Sequence, residues 1–128
     1  MKILIADDNA ENLCLLEALL KGNGHEVRSA VNGADALEKL RAGGLDLIIS
    51  DILMPEMDGY ELCRQIRADE NLKYIPVILL TQLFDPRDVI RGLLSGADNF
   101  VTKPYSEQFL ISRIQYILAN QELRRNSI

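Results

Sequence analysis

Short apolar runs alternate with longer amphipathic stretches along the whole chain, and this alternation predicts repeated βα units around a parallel sheet. Five strands are expected: Lys2 to Ala6, Glu26 to Val31, Leu45 to Ser50, Pro76 to Leu80 and Asn99 to Thr102. The first, third and fourth are apolar throughout, as strands covered on both faces must be. The second, Glu26-Val27-Arg28-Ser29-Ala30-Val31, alternates polar with apolar and suits an edge position with one wetter face. Side chains that accept from unpaired backbone N–H groups mark the helix starts: Asn9, Asn32, Asp58, Asp85 before Pro86, and Ser106. Gly22, Gly43 and Gly96 mark helix ends. Leu13, Leu16 and Leu20 fall on one face of the first helix, and Leu110, Ile114, Ile117 and Leu118 on one face of the last; such stripes belong to a core. The expectation is a doubly wound α/β fold, with a polar continuation of the last helix from Asn120 to Asn126.

Composition narrows the picture. With 128 residues, 48% hydrophobic and 26% charged, the chain has the apolar content for one core and reads as a single folding domain, not a disordered segment. A net charge of −5 argues against a phosphate backbone or an anionic membrane as a direct ligand. The run Ile3 to Ala6 is too short for a signal-peptide core, and no run approaches the roughly 18 residues that span a bilayer, so a soluble, cytoplasmic protein is expected. Cys14 and Cys63 stand alone and are expected as reduced thiols packed on helices. His25 opens the edge strand and is read as solvated. Neither GxGxxG nor GxxxxGK[ST] occurs, so dinucleotide and P-loop chemistry lack their phosphate cradles.

The candidate chemistry sits where strands end. Asp7 and Asp8 follow the first strand, Asp51 the third, Thr81 the fourth and Lys103 the fifth. In an open α/β sheet the carboxyl ends share one rim, so residues far apart in sequence converge there. Asp7-Asp8 alone would be explained equally well by an acid-rich helix start, and a lone lysine by a solvated charge. Lys103, between an apolar strand and Pro104, fits the solvated reading less well. Three clustered carboxylates remain ionised only beside a cation, and oxygen-only donors suit Mg²⁺. With an ammonium and a hydroxyl opposite, the Asp51 carboxylate can attack a phosphoryl group and hold it as an acyl phosphate.

Four segments carry a resemblance: Ile3-Leu4-Ile5-Ala6-Asp7-Asp8-Asn9; Asp51-Ile52-Leu53-Met54-Pro55-Glu56-Met57-Asp58-Gly59; Pro76-Val77-Ile78-Leu79-Leu80-Thr81; and Gly96-Ala97-Asp98-Asn99-Phe100-Val101-Thr102-Lys103-Pro104. In this order they resemble the receiver domains of two-component response regulators, over Lys2 to about Leu118. The resemblance implies a flavodoxin-like (βα)5 sheet of strand order 2-1-3-4-5. It implies a receiver over residues 1–120, and residues 121–128 as a polar helical extension or the start of a linker. It makes Asp51 the phosphoacceptor and Asp8 a direct Mg²⁺ ligand. Asp7 would act directly or through water, and the Leu53 carbonyl would complete the protein ligands. Thr81 would be the hydroxyl that moves toward the phosphoryl group, Phe100 the aromatic switch, and Lys103 the phosphoryl partner, followed by a cis bond to Pro104. The implied partners are a sensor histidine kinase or phosphotransfer protein, a downstream effector domain or protein, and a second copy in a homodimer. The stretch Asp85 to Tyr105 is similar to receivers attached to sensor histidine kinases.

Some positions depart from the family's commonest pattern. Gln82 stands where a small residue is usual, Phe100 lacks a tyrosine hydroxyl, and Leu53 and Leu83, expected to flank the site, are apolar. Leu53, Gln82 and Leu83 are therefore expected to tune the lifetime of the phosphorylated form. Two other functions compete: an aspartyl-phosphate-forming phosphatase, which would place a second Asp at position 53 where this chain has Leu, and a docking module indifferent to phosphorylation, which would have lost part of the acidic and lysine set.

Overall fold

The computed structural model describes residues 1–82 and 85–126. Its elements are β1 (Lys2–Ala6), α1 (Ala10–Gly22), β2 (Glu26–Ala30), α2 (Gly33–Arg41), β3 (Leu47–Ser50), α3 (Gly59–Ala68), β4 (Val77–Thr81), α4 (Pro86–Leu94), β5 (Asn99–Thr102) and α5 (Glu107–Asn126). The strands form one parallel sheet in the order β2-β1-β3-β4-β5. This is the expected doubly wound topology.

Alternation along each central strand sorts its side chains onto two layers, because successive residues point to opposite faces. Leu4, Ile48, Val77 and Leu79 enter one core with α2 and α3, through Leu37, Leu40, Leu62 and Ile66. Ile3, Ile5, Leu47, Ile49, Ile78, Leu80 and Val101 enter the other with α1 and α5, through Leu16, Leu20, Leu110, Ile114 and Ile117. The two leucine and isoleucine stripes are core as expected, with Leu13 and Leu118 at its margin. Asn9, Asn32, Asp58 and Asp85 each cap a helix through the side chain, and Ser106 Oγ accepts from Phe109 N at 3.0 Å.

Several boundaries shift for local reasons. β2 ends at Ala30 because Val31 N–H is taken by the Asp35 carboxylate of the next helix start, at 3.1 Å. β3 begins at Leu47, since Asp46 instead clamps the first strand with a backbone bond to Lys2 O and a side-chain bond from Lys2 N. Proline lacks the N–H for the ladder, so β4 begins at Val77; it extends one residue further than expected, to Thr81. Gly22 lies inside the last turn of α1, and the left-handed residue is Gly24, at φ 87°. Two side chains also differ from expectation. Cys14 is exposed, being one position off the Leu13, Leu16, Leu20 stripe, whereas Cys63 is buried as expected. His25 is half-buried, because its N–H bonds back to Leu20 O and folds the loop against α1; its Nδ1 is buried without a hydrogen-bond partner, and burial pushes its pKa down. Among the described residues no helix is long and apolar enough to cross a membrane.

Candidate functional site

The strands deliver their acidic and basic residues to the rim by one further backbone bond each. Asp7 N donates to Ala30 O at 3.1 Å, Asp51 N to Ala6 O at 2.9 Å, and Lys103 N to Thr81 O at 2.7 Å. These bonds continue the sheet past its assigned ends and fix the three side chains relative to one another. Lys103 Nζ then stands 3.5 Å from Asp7 Oδ2 and 3.5 Å from Asp51 Oδ2, an equal distance from two carboxylates. Both contacts are longer than the usual 2.7–3.2 Å for a nitrogen donor, so the ammonium is shared and saturates neither partner. All three side chains are largely enclosed, Lys103 at 18%, Asp7 at 10% and Asp51 at 15% exposure.

The two oxygens of Asp51 are differentiated. Oδ1 accepts from Ile52 N at 2.7 Å and weakly from Leu53 N at 3.4 Å, which turns the carboxylate onto its own loop; Oδ2 faces Lys103. Burial raises the Asp51 pKa above the ordinary carboxylate value, Lys103 opposes this, Asp7 adds to it, and the two backbone bonds oppose it. The site thus holds more negative charge than its one ammonium offsets. Asp7 Oδ1 is engaged by Asn9 N at 2.9 Å, at the start of α1.

The loop carrying Asp51 is fixed by close backbone approaches. At Gly59, a Cβ would lie 2.5 Å from Asp51 O, and Gly59 N donates to Ile52 O at 2.8 Å. At Gly33, the start of α2, a Cβ would lie 2.8 Å from Met57 O. Glu56 adopts φ 68°, a left-handed conformation that costs a non-glycine residue energy and persists only where surroundings enforce it. The sequence reading assigned no role to Gly33, Gly59 or Glu56; a glycine directly after the Asp58 cap was the available signal.

The remaining expected residues are placed as follows. Thr81 is fully buried at the end of β4, in register with Thr102. Phe100, in register with Leu79, is half-buried against the α2–α3 core, two register pairs back from Thr81–Thr102 and so on the same face. The Lys103–Pro104 bond is cis. Asp8 is exposed, as are Gln82 and Leu53, the latter at 61%; Leu83 lies outside the described residues. Among the described residues no group of three or more His, Cys, Asp or Glu side chains forms a ready metal cluster. A cavity of about 260 Å³ opens beside Asp7 and Lys103, walled by Leu15, Leu16, Leu80 and Tyr105. Burial, then the charge of Asp7, pushes the Tyr105 hydroxyl pKa up.

The molecule is thus a doubly wound, flavodoxin-like α/β protein with an enclosed carboxylate pair and one lysine gathered at the carboxyl rim of its sheet. The chain belongs to the response regulator receiver domain family, whose model matches residues 3–115. It is 39% identical over 128 residues to the response regulator PleD of Caulobacter vibrioides, covering 97% of this chain and 28% of that protein. It is 43% identical over 120 residues to the transcriptional regulatory protein AfsQ1 of Streptomyces coelicolor, covering 94% of this chain and 52% of that one. The chain therefore spans from about a quarter to about half of these relatives. Among solved structures, the receiver domain of a signal transduction histidine kinase from Syntrophus aciditrophicus is 45% identical at a TM-score of 0.87, covering 93% of this chain and 90% of that one. Receiver domains use Mg²⁺ in phosphorylation and interact with histidine kinases and effectors.

Proposed function

We propose that Asp51 accepts a phosphoryl group from the phosphohistidine of a sensor kinase or phosphotransfer protein, and that the acyl phosphate changes the surface this domain offers to a downstream effector domain or protein, or to a second copy of itself. The observation that carries this reading is the single ammonium of Lys103 shared between Asp7 and Asp51. Attack by an Asp51 carboxylate oxygen forms the new P–O bond as the P–N bond to the donor imidazole breaks, with its electron pair returning to the ring nitrogen. Three negative phosphoryl oxygens then arrive where one lysine already serves two carboxylates. Lys103 exchanges its long contacts for the phosphoryl group, and Thr81 supplies a hydroxyl from the neighbouring strand end.

The donor chemistry fits Mg²⁺, since the rim offers only oxygens and carries uncompensated charge. Asp7, Asp8, Asp51 and the Leu53 carbonyl would hold the ion. Bound there, Mg²⁺ supplies positive charge to the phosphoryl oxygens. We assign the receiver to residues 1–120 and residues 121–128 to a polar helical extension or the start of a linker; α5 runs unbroken to Asn126. A cytoplasmic setting follows from this chemistry, and similarity to a kinase-attached receiver favours a place next to a histidine kinase.

Incubation with Mg²⁺ and acetyl phosphate, read by intact mass, tests the reading. One phosphoryl adduct that disappears in Asp51→Asn is expected. An adduct that persists in Asp51→Asn would overturn it, and steady turnover of p-nitrophenyl phosphate would favour a phosphatase instead. Lys103→Ala should still be phosphorylated but show smaller NMR shifts with beryllofluoride than the unaltered domain.

A further inference from the structure

The helix α4 turns its apolar side chains outward. Ile90, Leu93 and Leu94 are exposed, and the buried position of the helix is Gly92. Glycine in a helix interior costs stability relative to alanine, so its presence there calls for a spatial reason. The reason lies directly beneath it. A Cβ at position 92 would stand 2.8 Å from Cδ2 and 3.2 Å from Cε2 of Phe100, and 3.2 Å from Cδ1 of Leu79. Leu79 and Phe100 are register partners on adjacent strands, so their side chains lie side by side and the backbone of α4 rests on them.

Two polar contacts also join α4 to α3. Tyr60 donates its hydroxyl to Asp88 O at 3.2 Å, and the Arg91 guanidinium lies 4.3 Å from the centre of the Tyr60 ring. Just past the helix, Arg67 Nε donates to Gly96 O at 2.9 Å. Such contacts can be re-formed after a small displacement, whereas a ring edge against a bare backbone has one fitted arrangement.

We propose that Gly92 is a positioning residue of the switch: the side chain it lacks is the slot that the Phe100 ring occupies, so ring orientation and the seat of α4 are one coordinate. This rests on the reading of Phe100 as a ring that responds to phosphorylation at Asp51, and it adds what transmits that response. A ring that leaves the slot lets α4 settle, and a ring that enters it lifts α4, carrying Ile90, Leu93 and Leu94 with it. The outer face of α4 thereby reports the state of a site on the strand rim.

The test is a double-mutant cycle joined to a ring probe. Gly92→Ala should lower Tm by several degrees in the unaltered background and raise it in a Phe100→Ala background, where the methyl meets no ring and alanine favours the helix; if Phe100→Ala does not fold, Phe100→Leu replaces it. The same change in Tm in both backgrounds would overturn the slot. In domain labelled with 4-fluorophenylalanine, the Phe100 signal, assigned by its loss in Phe100→Leu, should sit at a different resting position in Gly92→Ala. Its shift on adding Mg²⁺ and beryllofluoride should fall by at least half. A Phe100 signal that rests and responds in Gly92→Ala as in the unaltered domain would overturn the proposal. If the unaltered domain shows no response at Phe100 while the cycle still couples the two positions, the slot stands and the switch reading of Phe100 fails.

Discussion

Replacing Gly59 with alanine places a methyl group into the tightest backbone approach of the site. Its Cβ would stand 2.5 Å from Asp51 O and 2.9 Å from Ile52 Cα, and neither atom belongs to a side chain that can swing aside. Ordinary Cβ contacts begin at 3.4 Å, and essentially none fall under 3.0 Å, so the Asp51 carbonyl must retreat by roughly 0.5–0.9 Å. Overpacking of this kind costs about 1–3 kcal/mol. Stretching the 2.8 Å bond from Gly59 N to Ile52 O adds up to about 1 kcal/mol. We expect a net loss near 2–3 kcal/mol, which for a domain of this size lowers Tm by roughly 8–12 °C. Because the displaced atom is the backbone of the proposed phosphoacceptor itself, the effect should reach chemistry, and misplacement approaching 1 Å can cost about 10²-fold in rate. Phosphorylation by acetyl phosphate, followed by intact mass, should slow at least tenfold. The control is Gly22→Ala: it sits in α1 with nothing within 4 Å of its Cβ and should gain up to about 1 kcal/mol. A Gly59→Ala domain within about 0.5 kcal/mol of the unaltered one by urea unfolding, or one phosphorylated at the same rate, would refute the reasoning.

Other outcomes follow from the same geometry. Arg67 ties α3 to two loops, donating to Lys73 O at 3.1 Å, Ile75 O at 2.6 Å, Gly96 O at 2.9 Å and Asp98 Oδ2 at 2.7 Å; Arg67→Ala should cost about 2–4 kcal/mol in urea unfolding, and Arg67→Lys should recover little because a point charge cannot reach this fork of acceptors. Burial above all, with Asp7 adding to it, raises the Asp51 pKa in the fold, so the folded state binds that proton more tightly than the unfolded chain and ionised Asp51 weighs against folding at neutral pH. In metal-free buffer Asp51→Asn should therefore be the more stable protein at pH 7, with an advantage that shrinks as pH falls into the ordinary carboxylate range; an advantage independent of pH would contradict this. Exposed Leu53 offers no hydrogen bond to a water attacking the acyl phosphate, so Leu53→Asn should shorten its lifetime, and a tenfold change corresponds to about 1.4 kcal/mol of barrier. Decay measured after donor removal in Mg²⁺ checks this, with Gln82→Ala reporting whether the larger side chain shields the site.

Strand positions and rim chemistry were legible in the sequence because each rests on a local pattern. An apolar run covered on both faces, as in Leu47–Ser50 and Val77–Thr81, has one reading in a βα series; Asp7 and Asp51 each follow such a run, and Lys103 follows the shorter, half-buried β5 just before Pro104. What escaped depends on how the backbone folds back on itself. Gly59 is explained by the Asp51 carbonyl, Gly33 by Met57 and Gly92 by Phe100, and even where the partner is near in sequence, as for Gly59 and Gly92, the close approach exists only once a loop or strand has turned back on the helix. Most acceptors of Arg67 are backbone carbonyls of separate loops, which no motif encodes. The outward turn of Cys14 and the half-burial of His25 depend on one position of helical phase and on a loop folded back by the bond from His25 N to Leu20 O. The left-handed Glu56 has no signal of its own, since its residue type does not favour that conformation.

The central claim is that a phosphoryl group resides on Asp51, and trapping the acyl phosphate tests it most directly. The domain is loaded with acetyl phosphate and Mg²⁺, reduced with borohydride, digested and sequenced by tandem mass spectrometry. An acyl phosphate at an aspartate is reduced to homoserine, which marks the residue that carried it. The account predicts homoserine at position 51 alone, dependent on both donor and Mg²⁺. Homoserine at position 7 or 8, or no reduced residue in a domain whose intact mass shows the adduct, would contradict it.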